Sequence, residues 1–316
     1  MRPNNRWALR HLRFALMGLV AGFNLAAAQA STLTVGPSET LKTPADAARM
    51  AKPGDTVLIA PGTYRSCVVW QTDQLTIRGL GAGPVFDGVV CQGKAIFVVH
   101  ANDITLENLR FENATAPDGN GAGIRAEGKN LTVKNCVFTR NQDGILSSAD
   151  PTSALLVTNS TFDGNGACLP GGCAHGIYAG HIGRLRVENS TFTDTQHGHS
   201  IKSRAARSEI LNNHIIDGPT ATASYLIDVP NGGTVLIKGN VLEKGANSEN
   251  RATAISIGAE GHLQPSDEVL IQDNTLTNDG GPTVFVRNAG TTPVQLVGNR
   301  FKGHAVTPLI GPGRVH

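Results

Sequence analysis

Short segments of alternating apolar and polar residues follow one another through most of the chain, and each ends in a turn rich in Gly, Asn or Asp. Examples are "LTVK" at 131–134, "LRVE" at 185–188 and "VLIK" at 235–238. Alternation with a period of two is typical of β-strands, and these segments lack the helical period of 3.6. The pattern therefore predicts an all-β protein built from many short strands.

One pattern, Asn-x-x-apolar, recurs after these strands at intervals of 24 to 34 residues. Neighbouring strands lie about 4.8 Å apart, so coils of this length can stack equivalent residues on each other. Asn tolerates the left-handed backbone of a tight bend, and its amide can hydrogen-bond to the Asn of the next coil. We expect a single-stranded parallel β-helix of eight to ten coils over residues 50–305. The repeats begin at Asn108, Asn135, Asn159, Asn189, Asn213, Asn240, Asn274 and Asn299.

The segment "TPADAARMAKPGDTVLIAPGTY", residues 43–64, predicts a short capping helix followed by the first strand. Solenoids need such caps because their end coils otherwise expose the core. Thr43 is a good N-cap, and Pro44 suits the first helical position. The segment resembles the N-terminal region of the pectate-lyase-like superfamily, and this resemblance implies a right-handed β-helix.

A second set of segments, including "HGIYAG" (175–180) and "HSIKSR" (199–204), aligns on a central Ile that should point inward. The residue after the Ile then points outward, because side chains alternate along a strand. This outward row contains Arg125, Leu146, Tyr178, Lys202, Asp228 and Ser256. The row two positions before the Ile contains Ala122, Asp143, His175, His199, Tyr225 and Thr253.

Stacking should bring seven polar side chains of three adjacent coils into one outward patch, which favours a functional site over scattered surface charges. The loops 163–174 and 259–268 should form the sides of a groove. Glu260 could reach the patch from the second loop, but a solvent-facing position is the simpler expectation. Arg125 and Glu127 should pair with each other. The candidate catalytic residues are Lys202, Arg204, His199, Tyr178 and His175, and the candidate substrate-binding residues are Asp228, Tyr225, Asp143, His181 and His197.

These residue types suit removal of the proton next to a uronate carboxylate, the first step of both β-elimination and C5 epimerisation. Arg204 can bind the carboxylate through its planar guanidinium. Lys202 can act as the base, with His199 as the alternative base. Tyr178 or His175 can donate a proton to the leaving oxygen. We therefore predict an enzyme that acts on an anionic, uronate-containing polysaccharide.

The stretch "SIKS" (200–203) and the later bend "LNNHI" (211–215) resemble β-helix alginate lyases and chondroitinase B. This resemblance implies a polysaccharide lyase with Lys202 as its catalytic lysine. Those enzymes use an arginine on the next coil, usually with calcium, whereas here that coil reads "YLIDVPNGG" (225–233). We therefore assign no metal ligand and no certain cofactor, and leave calcium open. Most of residues 100–300 also resembles exported bacterial β-helix proteins, a likeness that implies no particular reaction.

Two alternatives belong to other classes. "NQDGI" (141–145) and "HGHSIKS" (197–203) distantly resemble motifs of polygalacturonases, which are glycoside hydrolases. The coil between them, "CAHGI" (173–177), lacks the paired carboxylates that glycoside hydrolysis needs. The other alternative is a non-catalytic glycan-binding solenoid, which the aromatic content of 5% disfavours because sugar-binding faces favour stacking on aromatic rings.

Residues 1–30 have the pattern of a secretory signal peptide: an arginine-rich start, an apolar run over 14–28 and Ala28-Gln29-Ala30 before the cleavage site. The apolar run is shorter than the roughly 20 residues needed to span a membrane. We expect residues 31–316 to form one β-helix domain without a membrane span, a monomer that is periplasmic or secreted. Its 23 basic and 25 acidic residues give a net charge of −2, which argues against a nucleic-acid partner.

Five cysteines lie in this exported portion, where an oxidising compartment permits disulfides. Cys168 and Cys173 bracket "LPGG", and we expect them to be bridged. Cys136 alternates with strand residues in "NCVF" and is expected to be a buried free thiol. The sequence does not decide whether Cys67 and Cys91, 24 residues apart, form a pair.

Overall fold

The computed structural model describes residues 30–170, 172–261, 264–265 and 268–316. These residues form a right-handed parallel β-helix of about 11 turns, so the predicted fold class is confirmed. The predicted signal peptide, apart from Ala30, lies outside the described residues. Within the described part, no helix is long and apolar enough to cross a membrane.

Each full coil contributes one strand to each of three parallel sheets, which follow one another along the chain as sheets I, II and III. Sheet I contains β1 (Thr32–Val35), β2 (Thr56–Ile59), β5 (Thr76–Gly79), β8 (Ile104–Glu107), β11 (Leu131–Lys134), β14 (Ala154–Thr158), β19 (Arg184–Glu188), β22 (Arg207–Leu211), β25 (Thr234–Lys238), β28 (Val269–Gln272), β31 (Val294–Val297) and β34 (Gly313–Val315). Sheet II contains β3 (Thr63–Tyr64), β6 (Val85–Asp87), β9 (Arg110–Glu112), β12 (Val137–Thr139), β15 (Thr161–Asp163), β20 (Thr191–Thr193), β23 (His214–Ile216), β26 (Val241–Lys244), β29 (Thr275–Asn278) and β32 (Arg300–Gly303). Sheet III contains β4 (Val68–Trp70), β7 (Ala95–Val99), β10 (Ala122–Ala126), β13 (Asp143–Ser147), β18 (Ile177–Ala179), β21 (His199–Ser203), β24 (Tyr225–Val229), β27 (Thr253–Ile257), β30 (Thr283–Asn288) and β33 (Val306–Ile310). A separate antiparallel hairpin is formed by β16 (Ala167–Leu169) and β17 (Gly172–Ala174).

The core consists of side chains that stack on their equivalents in the next coil. The predicted inward row of sheet III is fully buried and in register, and contains Ile124, Ile145, Ile177, Ile201, Ile227 and Ile255. A second stack crosses sheet II, with neighbouring ring centroids 4.5–5.6 Å apart, and contains Phe86, Phe111, Phe138, Phe162 and Phe192. These ladders fix the register, because a slip of one residue would turn the apolar set outward.

The Asn repeat occupies two positions of the bend between sheets I and II. At the first position the backbone is left-handed, with φ between 50° and 70°, at Asn108, Asn135, Asn159, Asn189, Asn212, Gly239, Asp273 and Gly298. The next position points inward and forms a ladder of hydrogen bonds. The backbone N–H of Asn213 donates to Oδ1 of Asn240, and the same bond joins Asn240 to Asn274 and Asn274 to Asn299. The prediction of one ladder from Asn108 to Asn299 was wrong, because "LNNHI" carries Asn at both positions and the pattern shifts there.

The two ends of the solenoid differ from the prediction. Helix α1 (Pro44–Met50) has Thr43 as its N-cap and Pro44 at its start, as predicted. However, β1 precedes the helix and pairs with β2, so the first strand lies before α1 and not after it. At the other end, β33 and β34 continue the sheets beyond residue 305, which gives about 11 turns in place of eight to ten.

The cysteines form two disulfides. The bridge between Cys168 and Cys173 joins β16 to β17, as predicted. Cys67 pairs with Cys91, the pairing that the sequence left open. Cys136 is a buried free thiol, as predicted, and burial raises its pKa to about 12.

Candidate active site on sheet III

The candidate residues lie on the outward face of sheet III in the predicted register. Tyr178 is paired with Lys202, and Lys202 with Asp228, on successive coils. Arg204 follows directly after β21, and its backbone N–H donates to the carbonyl oxygen of Ala179 on the preceding coil. The β-helix register thus brings an ammonium, a guanidinium, a phenol and a carboxylate onto one face.

Lys202 and Arg204 both bind the carboxylate of Glu260. Nζ of Lys202 donates to Oε1 at 2.9 Å, and Nη2 of Arg204 donates to Oε2 at 2.5 Å. Burial alone would raise the pKa of Glu260, but hydrogen bonds from Lys202 and Arg204 hold it below its ordinary value. Glu260 is therefore an anion held between two cations.

Two more side chains fix the guanidinium of Arg204. Its Nε donates to the hydroxyl of Tyr178 at 2.8 Å, and its Nη1 donates to Oδ1 of Asn231. The backbone of Glu260 is held as well. Nδ2 of Asn231 donates to the carbonyl oxygen of Glu260 at 3.1 Å, and the N–H of Glu260 donates to the carbonyl oxygen of Pro230. Because the Tyr178 oxygen accepts from Arg204, its own proton is available to another acceptor. We call Tyr178, Lys202, Arg204, Asp228 and Glu260 the charged patch.

Asp228 is the second carboxylate of the charged patch. Its Oδ2 lies 3.6 Å from Nζ of Lys202 and 3.5 Å from Nε2 of His199. Burial raises the pKa of Asp228, although the charge of Lys202 opposes this. Oδ1 of Asp228 is buried without a hydrogen-bond partner, which is uncommon for a carboxylate in a folded protein.

His175 and His199 stack with ring centroids 4.8 Å apart and bind the backbone of the following coil. Nδ1 of His175 accepts the N–H of His199 at 3.0 Å, and Nδ1 of His199 accepts the N–H of Tyr225 at 3.2 Å. An accepting ring nitrogen carries no proton, so both rings are neutral and protonated at Nε2. Burial, followed by the charge of Lys202, lowers the pKa of His199 to about 3. Burial chiefly lowers that of His175 well below its ordinary value. In this arrangement His199 presents a donor, and not a basic nitrogen, to Asp228.

Asp143 begins the same ladder one coil earlier. Its Oδ1 accepts the N–H of His175 at 2.6 Å. Its side chain is fully buried, and Oδ2 has no hydrogen-bond partner. Burial raises the pKa of Asp143 to about 7, against the opposing effects of the His175 hydrogen bond and the charge of Arg125. The residue lies behind the open surface of the patch and supports the histidine stack.

The other predicted residues lie at the edges. The ring of Tyr225 packs on His199 with centroids 5.0 Å apart. His181 lies beside Gln264, whose Nε2 is 3.4 Å from its Nδ1. His197 pairs with Glu249 at an exposed bend, and so joins a surface loop and not the charged patch.

An open cleft of about 650 Å³ extends from Arg204 towards the N-terminal coils. Its lining includes Arg125, Leu146, Ser148, Tyr178, His181, Arg204, Asp118 and Asn120. The hairpin β16–β17 supports one side through Leu169, which packs closely on Gly119. A Cβ atom added to Gly119 would lie only 2.8 Å from Cδ1 of Leu169. The described residues of the hairpin thus pack behind Gly119 and do not themselves line the cleft, and the predicted role of the loop 163–174 as a side of a groove stays a prediction.

Sequence reasoning allowed for Glu260 at the patch without counting it among the candidate site residues, and it missed Asn231. Glu260 follows β27 in a loop, and the path of a loop is not encoded in strand periodicity. Asn231 comes two residues after β24, on the coil next to Arg204, so the repeat alignment contained a signal for it. Among the described residues, no three His, Cys, Asp or Glu side chains are grouped to hold a metal ion. Calcium enters no step proposed below.

A family model described as "Right handed beta helix region" matches residues 87–174 and 144–310. The chain belongs to this family. No curated protein matches the chain significantly. Among solved structures, pectate lyase Pel9A is similar with a TM-score of 0.55 and 13% identity, over 91% of this chain and 79% of that one. GH136 lacto-N-biosidase from Eubacterium ramulus is similar with a TM-score of 0.51 and 13% identity, over 90% and 68% of the two chains.

An alginate lyase from Paenibacillus sp. str. FPU-7 is similar with a TM-score of 0.49 and 17% identity, over 89% of this chain and 99% of that one. At such identities the likenesses to the pectate lyase and to the lacto-N-biosidase show the shared fold alone. The structural neighbours include carbohydrate-active enzymes with several different reactions, so the reaction of this chain has to be argued from its own residues.

Proposed function

We propose that this chain is an exported enzyme that cleaves a uronate-containing polysaccharide by β-elimination, with C5 epimerisation as the other outcome of the same proton abstraction. The observation that carries the proposal is the Glu260 carboxylate between Lys202 and Arg204. Both oxygens of that carboxylate are bonded there, so a uronate carboxylate has the right charge and shape to displace it and bind Arg204. The two disulfides support export, and the monomeric state stays a prediction.

The charged patch holds the groups that β-elimination needs. Arg204 binds and neutralises the uronate carboxylate, which makes the proton on the adjacent C5 easier to remove. Oδ2 of Asp228 lies 3.6 Å from Nζ of Lys202 and accepts a proton from it once Glu260 is displaced. The neutral amine of Lys202 then takes the C5 proton. The electron pair of the C5–H bond forms the C4–C5 double bond as the C4–O bond breaks. Tyr178 gives its proton to the leaving oxygen, whereas return of a proton to the opposite face of C5 gives the epimer.

A glycoside hydrolase is the second candidate function, and one observation favours it. Asp228 and Glu260 both contact Nζ of Lys202, so two carboxylates lie within a few ångströms of each other. Glycoside hydrolysis uses such a pair, one as acid and one as nucleophile or base. The sequence analysis had found no pair of carboxylates on the coil where polygalacturonases carry theirs, which here reads "CAHGI" (173–177).

Product analysis distinguishes the two functions. Polygalacturonate, alginate and glucuronan would be incubated with the wild type and with Tyr178→Phe, which removes only the hydroxyl. We expect new reducing ends to appear together with the ultraviolet absorbance of an unsaturated uronate, or C5 inversion detected by NMR. We expect Tyr178→Phe to slow cleavage by about 10²- to 10⁴-fold. Reducing ends without the absorbance would support the hydrolase, and no change in any of the three polymers would contradict the proposal.

A further inference from the structure

The open cleft has an arginine at each end. Arg204 lies at the end that adjoins the charged patch, and Arg125 lies at the other. Arg125 pairs in register with Leu146, Leu146 with Tyr178, and Tyr178 with Lys202. Three coil steps of about 4.8 Å each therefore place Arg125 roughly 14 Å from Lys202 along the solenoid.

The charge of Arg125 is only partly compensated. Its Nε lies 3.4 Å from Oε1 of Glu127, but that carboxylate already binds Lys94 at 2.7 Å and lies 3.1 Å from His100. Nε of Arg125 is buried and has no hydrogen-bond partner. The side chain is 27% exposed and lines the cleft, so a ligand carboxylate can bind the outer N–H groups of the guanidinium.

The floor between the two arginines suits a sugar chain. Leu146 and the ring of Tyr178 occupy the outward positions between Arg125 and Lys202. Tyr178 packs against a small apolar cluster formed by Ala95, Val98, Ala122 and Leu146. Apolar floor residues can pack against the C–H face of a pyranose ring. Ser148, His181 and Asn120 line the sides of the cleft and offer hydrogen bonds to hydroxyl groups.

We propose that Arg125 binds the carboxylate of a second uronate, so that the cleft holds several consecutive residues of one acidic polysaccharide. The proposal rests on the proposed function, because it assumes that another uronate of the chain is bound at Arg204. Nε of Arg204 reaches Tyr178, which lies two coil steps, about 10 Å, from Arg125. This separation still exceeds the length of one sugar ring, so we expect a disaccharide bound at Arg204 not to reach Arg125. The enzyme should therefore prefer long substrates.

Binding as a function of chain length tests this inference. Di- and hexasaccharides of galacturonate and of mannuronate would be titrated calorimetrically into the wild type, Arg125→Met, Arg204→Met and Arg287→Met. Arg287 is a matched control, because it belongs to the same outward row and pairs in register with Ser256, but is exposed outside the cleft. We expect Arg125→Met to weaken hexasaccharide binding by about 10- to 100-fold and to leave disaccharide binding unchanged. Arg287→Met should change neither.

The outcomes separate the inference from the proposed function. If Arg204→Met loses affinity for both lengths while Arg125→Met binds the hexasaccharide like the Arg287→Met control, only the second carboxylate site is wrong. An equal loss for both lengths in Arg125→Met would also overturn it, since that points to a structural role. If Arg204→Met binds like the wild type, or if the wild type binds none of the four oligosaccharides and converts none of the three polymers, the proposed function fails and this inference fails with it.

Discussion

Nδ1 of His175 accepts the backbone N–H of His199 on the next coil at 3.0 Å. In the same way Nδ1 of His199 accepts the N–H of Tyr225, and Oδ1 of Asp143 accepts the N–H of His175. These side chains therefore extend the hydrogen bonding of the solenoid beside sheet III. Their first role is to hold together the coils under the charged patch. A protonated imidazole could not do this, because its Nδ1 could no longer accept the backbone N–H.

A variant that cannot be protonated tests this role. The pKa of His199 is about 3 in the folded state, against 6.5 for an ordinary histidine, so the unfolded chain binds the proton first as the pH falls. Stability should fall between pH 6.5 and 3, by about 1.4 kcal/mol per pH unit for this residue. His199→Asn keeps an acceptor for Tyr225 and should lose that part of the slope in urea denaturation. Equal slopes for the wild type and the variant would contradict the neutral ladder.

Asp143 should have the opposite pH dependence. Its folded pKa of about 7 exceeds the ordinary 3.8, so stability is lost as the pH rises between these values. Asp143→Asn keeps the oxygen that accepts the His175 N–H but cannot ionise. Its stability advantage over the wild type should grow by about 1.4 kcal/mol per unit from pH 4 to 7 and level off above pH 7. An advantage that does not change with pH, measured by urea denaturation, would show that Asp143 ionises freely in the fold.

Glu260 should compete with an acidic ligand. Glu260→Gln keeps the side-chain shape but removes the charge that a uronate must displace from Lys202 and Arg204. We expect uronate oligosaccharides to bind about two- to tenfold more tightly, the range of a partly exposed ion pair. Glu249→Gln, whose partner His197 lies at an exposed bend, is the control and should change nothing. Weaker binding by Glu260→Gln in calorimetry would indicate that Glu260 positions the two cations for the ligand.

The two disulfides should differ in their contribution to stability. Cys67–Cys91 closes a segment with a sequence separation of 24, and Cys168–Cys173 one with a separation of 5. Loop entropy gives about 3.5 kcal/mol for the first and about 2 kcal/mol for the second. Thermal denaturation of the two double Cys→Ala variants should therefore show the larger loss for Cys67/Cys91. The reverse order would mean that the hairpin contributes more than its chain entropy.

Strand periodicity was enough to predict the fold and the row that carries the charged patch. The pairing of Tyr178 with Lys202 and of Lys202 with Asp228 follows from aligning the inward Ile residues, because parallel coils keep equivalent positions in contact. The bend was harder to align. At "LNNHI" either Asn212 or Asn213 satisfies the Asn pattern, and only the packing of Ile215 on Phe192 decides between them.

Features that depend on loops or on the ends of the chain were not predictable in this way. Glu260 reaches Arg204 across 56 residues of sequence, through a loop with no repeat partner. The first strand, β1, has only four residues, and its pairing with β2 skips the intervening helix. The neutrality of His199 likewise follows from burial and from the backbone N–H of Tyr225, which the residue type alone does not reveal.

Loss of turnover on removal of Lys202 or Arg204 is the most direct test of the proposed uronate chemistry. Lys202→Ala and Arg204→Ala would be compared with Lys238→Ala, an exposed lysine on β25 of sheet I, at matched melting temperature. Formation of unsaturated product, or C5 inversion, would be followed on the polymer that the wild type converts best. We expect the two patch variants to lose about 10²- to 10⁴-fold in kcat/KM and the control to keep wild-type turnover. If both patch variants turn over substrate as fast as Lys238→Ala, the patch is an ordinary charged surface and the proposed chemistry is wrong.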